Sequence, residues 1–98
     1  MSAYTYQTLS IYEVRTLEIT IIDQDGNAFA PDSVYYSVID SDSATVVAEI
    51  LAAKNSNVIF ADIDTTVTAT VGIYKVIWKI TKNSKIYYHV TQLEVTTL

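Results

Sequence analysis

Large apolar residues return at every second position along much of this chain, which is the period of a strand with one buried face. Leu17, Ile19 and Ile21 alternate with Glu18 and Thr20 and predict a half-buried strand that ends at an Asp25-Gly26 turn. After Pro31-Asp32, Val34, Tyr36 and Val38 point one way, and Tyr35 and Ser37 the other. A turn at "DSDSAT" leads into "VVAEIL", with Val46, Ala48 and Ile50 as the expected inner face. A helical reading of 44–54 competes there, because "ATVVAEILAAK" contains several good helix formers. "VIFADI" is a fourth strand, apolar on both faces. Two long strands close the chain, 73–81 and 86–95, joined by the polar hairpin loop "TKNSK". In the last one Ile86, Tyr88 and Val90 share one parity and Leu93 and Val95 the other, which calls for a bulge near Thr91-Gln92.

The first ten residues alternate Tyr and Thr without an apolar face, and predict an extended arm that orders against its own domain or a neighbour. The organisation is thus an arm over 1–10 and one domain over 11–98. Six to seven short strands, turn signals every 8–12 residues and no convincing long helix predict an all-β fold, an antiparallel β-sandwich.

Composition narrows the functions. Half of the 98 residues are hydrophobic, so a real core is available, and only 17% are charged. The net charge of −5 repels phosphate backbones, and no basic run offsets it, so no nucleic-acid partner is expected. Six scattered Lys and Arg make no polybasic membrane anchor, and no run approaches the ~18 apolar residues of a membrane helix. The N-terminus has neither the basic nor the apolar segment of a secretory signal. The absence of cysteine removes disulfides, thiolate nucleophiles and cysteine metal sites.

Against this background "TATVGIYKVIWKI" stands out. Gly72-Ile73-Tyr74-Lys75-Val76 resembles the tyrosine corner of immunoglobulin-like domains, with Val76 where antibody domains carry a cysteine. Trp78 follows the tyrosine instead of sitting on an earlier strand, so it is not the antibody core tryptophan. The wider pattern resembles the small Ig-like domains of tailed-phage structural proteins. It runs "DQDGNAFAPDSVYYSVIDSD", then "FADID", then "VGIYKVIWKITKNSKIYYHVTQLEV", and covers about residues 14–96. That resemblance implies an immunoglobulin-like β-sandwich in a virion, assembled in the host cytoplasm. It implies a capsid decoration or cement protein bound to other virion proteins, the major capsid protein first among them, with self-association a further option. A tail or head–tail connector accessory protein is the close alternative, and a cell-surface glycan-binding module the alternative from another class.

Candidate chemistry is thin. "DQDGN", with Asp23 and Asp25, and "DSDS" offer oxygen ligands, but position 34, where a calcium loop starting at Asp23 needs an acid, is Val. His89 is the sole histidine, lies mid-strand between Tyr88 and Val90, and reads as a surface or interface residue, with no nucleophile motif to serve. Asp62 and Asp64 imitate a glycosidase pair, yet a domain this small offers little cleft. No enzyme, cofactor or metal is therefore expected. Eight tyrosines remain, and the residues expected to form a protein interface are Tyr4, Tyr6, Tyr12, Tyr35, Tyr87 and His89. Gly72, Tyr74, Val76 and Trp78 are the fold's signature.

Overall fold

A computed structural model describes residues 4–10, 14–22, 25–64 and 70–97; for residues 4–7 and 64 it describes the main chain only. The strands are β1 (Tyr4–Ser10), β2 (Val14–Thr20), β3 (Ser33–Asp40), β4 (Thr45–Leu51), β5 (Ala53–Asn55), β6 (Val58–Asp64), β7 (Gly72–Lys82) and β8 (Lys85–Thr96). Among the described residues there are eight strands, where six to seven were expected, and no helix. In the stretch 44–54, where a helix competed, β4 and the start of β5 are strand with a break at Ala52. A five-stranded sheet in the order β1-β8-β7-β3-β4 faces a three-stranded sheet in the order β2-β6-β5.

Residues 4–10 are a strand of the larger sheet: β1 runs parallel to β8, from Tyr4 beside Val90 to Ser10 beside Thr96. Leu9 is buried in the core, so the stretch set apart as an arm packs on its own domain. All other pairings are antiparallel.

Alternation on the central strands places the core as the sequence indicates. Val34, Tyr36 and Val38 of β3 and Tyr74, Val76, Trp78 and Ile80 of β7 face Leu17, Ile59, Ala61 and Ile63 of the smaller sheet. Trp78 packs its ring against Tyr36, with centroids 5.9 Å apart and planes at 45°.

The turns follow local chemistry. Gly26 takes φ +83° in the first turn, where a side chain would be strained. The Asp40 carboxylate accepts from the main-chain N–H of Asp42 and of Ala44, both at 2.9 Å, so the "DSDS" acid closes its own turn. Asn83 and Ser84, at φ +51° and +65°, make the two-residue loop between β7 and β8, both in the positive-φ conformation whose turn matches the right-handed twist of the strands.

Two expectations need correction. The β7–β8 ladder runs unbroken from Gly72–Val95 to Lys82–Lys85, so there is no bulge at Thr91-Gln92. One parity is inward throughout: Tyr87, His89, Thr91, Leu93 and Val95. Two polar residues can occupy it because the core offers them partners. The Trp78 indole N–H donates to the Thr91 hydroxyl at 2.9 Å, and among the described residues no buried side-chain nitrogen or oxygen lacks a hydrogen bond. The second correction concerns β4. Val46 and Val47 are both half-buried, while Ala48 and Ile50 are exposed. The irregular register falls here, between Tyr36 and Val38 and again between Val38 and Ile39. β4 is an edge strand opposite a sheet of only three strands, so little lies beneath it to cover.

Candidate protein-binding face

The outer face of the larger sheet carries the one-sided anomaly of the molecule. An antiparallel sheet with a solvated side normally presents polar residues there. On β7 and β8 the outward positions include Ile73, Ile77, Ile86, Tyr88 and Val90, interspersed with Lys75, Lys79, Thr81, Gln92, Glu94 and Thr96.

The register sets these side chains in rows. Leu51 of β4 lies opposite Tyr35 of β3, Tyr35 opposite Lys79 of β7, and Lys79 opposite Tyr88 of β8. Four strands at the usual spacing make this row about 14 Å long. Its apolar members are open to solvent: Leu51 is 66% exposed, Tyr35 37% and Tyr88 57%. Ile86, 52% exposed, extends the row by one rung. Below it Ser37, Ile77 and Val90 form a half-buried second row. Lys79 reaches Glu49 at 4.0 Å, an exposed pair that contributes little to stability but holds the lysine stem between two tyrosines.

The sequence-predicted interface residues are only partly gathered here. Tyr35 sits in the row. Tyr4 and Tyr6 are placed by main-chain register opposite Val90 and Gln92, on the edge strand of the same sheet. Tyr12 lies outside the described residues, as does Asp23. Tyr87 is a correction: it faces inward and packs on Phe29, ring centroids 6.0 Å apart. His89 is another. It is 2% exposed and lies directly across the ladder from Trp78, so it belongs to the core and not to an interface. Leu51, Ile73, Ile86 and Tyr88 were missed. The assumed bulge had turned Ile86, Tyr88 and Val90 inward, and unbroken alternation back from Leu93 and Val95 would have found them.

The signature residues behave as a corner. The Tyr74 hydroxyl donates to the Thr70 carbonyl at 3.0 Å and shares a 2.5 Å hydrogen bond with the Thr70 hydroxyl. Gly72 takes φ +156°, a conformation that side chains resist. Neither is placed for chemistry. Among the described residues no three His, Asp or Glu side chains gather as for a metal. Of the titratable groups, Tyr36 stands out: burial, then the nearby Asp62 carboxylate, push its pKa up from the ordinary 10.0.

No protein-family model matches this chain, and no curated protein matches it in sequence. Solved structures do resemble it. Part of the endo-β-1,4-mannanase from Thermotoga petrophila aligns with a TM-score of 0.62 and 12% identity, covering 92% of this chain and 18% of the mannanase chain. Titin domain M7 aligns at 0.54 and 11% identity, covering 99% of this chain and 98% of that one. A VGSC β-subunit structure aligns at 0.53 and 11% identity, covering 99% and 95%. At such identities the likeness is one of fold. The chain is an all-β, immunoglobulin-like β-sandwich, and its length is a small part of the mannanase's.

Proposed function

We propose that this domain is a non-catalytic structural module that works by docking the outer face of its five-stranded sheet onto another protein. Within that class we propose a capsid decoration or cement protein of a tailed-phage virion. The observation that carries docking is the exposed row Leu51–Tyr35–Lys79–Tyr88 with Ile86 beside it. Contiguous apolar surface rimmed by polar residues favours protein contact, and tyrosines add area at small entropy cost. The virion setting is supported by the sequence resemblance to tailed-phage Ig-like domains. The acidic surface suits a position on the outside of a shell filled with nucleic acid.

The test is particle composition. The protein is expected in purified virions at a fixed ratio to the major capsid protein, and Tyr88→Asp is expected to abolish that occupancy while leaving the fold intact. Absence from particles, or full occupancy by Tyr88→Asp, overturns the proposal. Capture of glycans by the free monomer through Tyr35 and Tyr88 would replace it with the carbohydrate-binding alternative.

A further inference from the structure

A second surface of the domain is built differently. In the smaller sheet β6 pairs with β2 along its whole length, Val14–Asp64 to Thr20–Val58. Its other edge is covered only from Val58 to Phe60, where β5 pairs with it and then stops. The chain has crossed between sheets there, pinned by the Ala52 N–H donating to the Val34 carbonyl at 2.9 Å. From Ala61 to Ile63, among the described residues, one main-chain edge of β6 therefore has no partner strand.

A cavity of about 190 Å³ opens beside that edge, lined by Tyr36, Leu51, Ala52, Ala53, Phe60, Ala61 and Asp62. Three of its wall residues are alanines, which is why space remains between the sheets. An apolar cavity of roughly 150 Å³ accepts a benzene ring, so this one holds a four-carbon stem. Its polar members are acceptors or already engaged. The Tyr36 hydroxyl donates to the Asp62 carbonyl at 3.4 Å, and the Asp62 carboxylate accepts from the Thr16 hydroxyl at 2.5 Å.

The one charged residue that lines the cavity is Asp62. Asp62 is exposed, and exposed Glu18 lies opposite Phe60, two residues along on the same face. Among the described residues neither carboxylate is in an ion pair. Arg15, the cation on β2, turns its guanidinium to the Thr8 carbonyl at 3.3 Å.

We propose that this notch is a binding site for an extended segment of a partner protein that bears a lysine or arginine. The segment continues the line of β5 along Ala61–Ile63 and makes main-chain hydrogen bonds with that edge. Its long side chain lays an aliphatic stem against Phe60 and the three alanines, and its cation meets Asp62. This site shares only Leu51 with the face that carries the docking proposal, and it stands or falls without that proposal.

The test is an amide ¹H–¹⁵N titration of the whole chain with two acetylated, amidated pentapeptides. One is Thr-Val-Lys-Val-Thr and the other has glutamate in place of the lysine. The lysine peptide is expected to give saturable shifts at Ala52, Ala61 and Asp62. Affinity is expected to fall at least about fivefold for the glutamate peptide and about threefold in Asp62→Asn, the range of an exposed charge pair. Ala53→Leu, at an exposed rim position, fills the cavity and is expected to abolish binding, whereas Tyr88→Asp leaves it unchanged. The absence of saturable shifts at millimolar peptide overturns the proposal, as does equal affinity for the two peptides. Binding that survives both Asp62→Asn and Ala53→Leu also overturns it. The comparison of peptides needs no variant to fold.

Discussion

Replacing Thr91 by Val changes the core by one atom and tests the polar contact that lets β8 keep a single parity. Thr91 and Trp78 are both buried, and the indole N–H to hydroxyl distance is 2.9 Å. Valine has the same shape, so no cavity opens. What changes is that the indole N–H loses its acceptor in a place water cannot reach. An orphaned buried donor costs about 1–3 kcal/mol. For a domain of this size each kcal/mol lowers Tm by about 4–8 °C, so a mid-range cost of about 2 kcal/mol predicts a drop of roughly 8–16 °C. A cycle with Trp78→Phe separates this from packing. Phenylalanine removes the donor and pays its own cavity cost, so in that background Thr91→Val no longer orphans an indole N–H. The expected coupling is about 1–2 kcal/mol, the size found for residues in direct contact. All four proteins are compared by urea unfolding followed by far-ultraviolet circular dichroism, since Trp78 is the sole tryptophan and two of the variants lack its fluorescence. Thr91→Val destabilising both backgrounds equally, within about 0.5 kcal/mol, refutes the argument.

Tyr74→Phe removes the hydroxyl that donates to the Thr70 carbonyl, and is expected to cost about 1 kcal/mol in urea unfolding without altering the sheet face. Gly72→Ala meets no atom within 4 Å, so its expected cost of about 1–3 kcal/mol is conformational, and a neutral result would show that φ +156° is not required. Tyr36 predicts an alkaline loss of stability. Its native pKa is raised above 10.0, so between the two values the native state holds a proton that the unfolded chain has released. The contribution is complete below pH 10.0 and disappears as pH rises through the native pKa; Tyr36→Phe is expected to flatten that part of the stability profile.

The sequence was most legible where one face is apolar and the other is not. Val34, Tyr36, Val38, Val76, Trp78 and Ile80 are buried as their alternation indicates. β8 misled because both its faces carry large apolar side chains. Hydropathy placed Ile86, Tyr88 and Val90 inside, while the register buries His89 and Thr91. A polar residue is tolerated in the core when a partner waits for it, and the partner, Trp78, sits thirteen residues away on another strand. β4 misled for a different reason: alternation marks a face but not whether anything lies across from it. The notch beside β6 was invisible, because it exists through the early end of β5, a three-residue strand. The proposed docking face was half legible. Tyr35 belonged to it from the start, and the rest waited on the parity of β8.

The parallel pairing of β1 with β8 has a mechanical consequence. Tyr4 lies beside Val90 and Ser10 beside Thr96, so the two strands enter and leave at opposite ends of a seven-pair ladder. At the usual rise per residue that ladder is about 20 Å long. Tension applied upstream of Tyr4 and downstream of Thr96 pulls the strands past one another along their length. The rungs then share the load at the same moment instead of opening one after another. A domain joined to its surroundings through both strands would sit in line with a stretching force and transmit it before it yields.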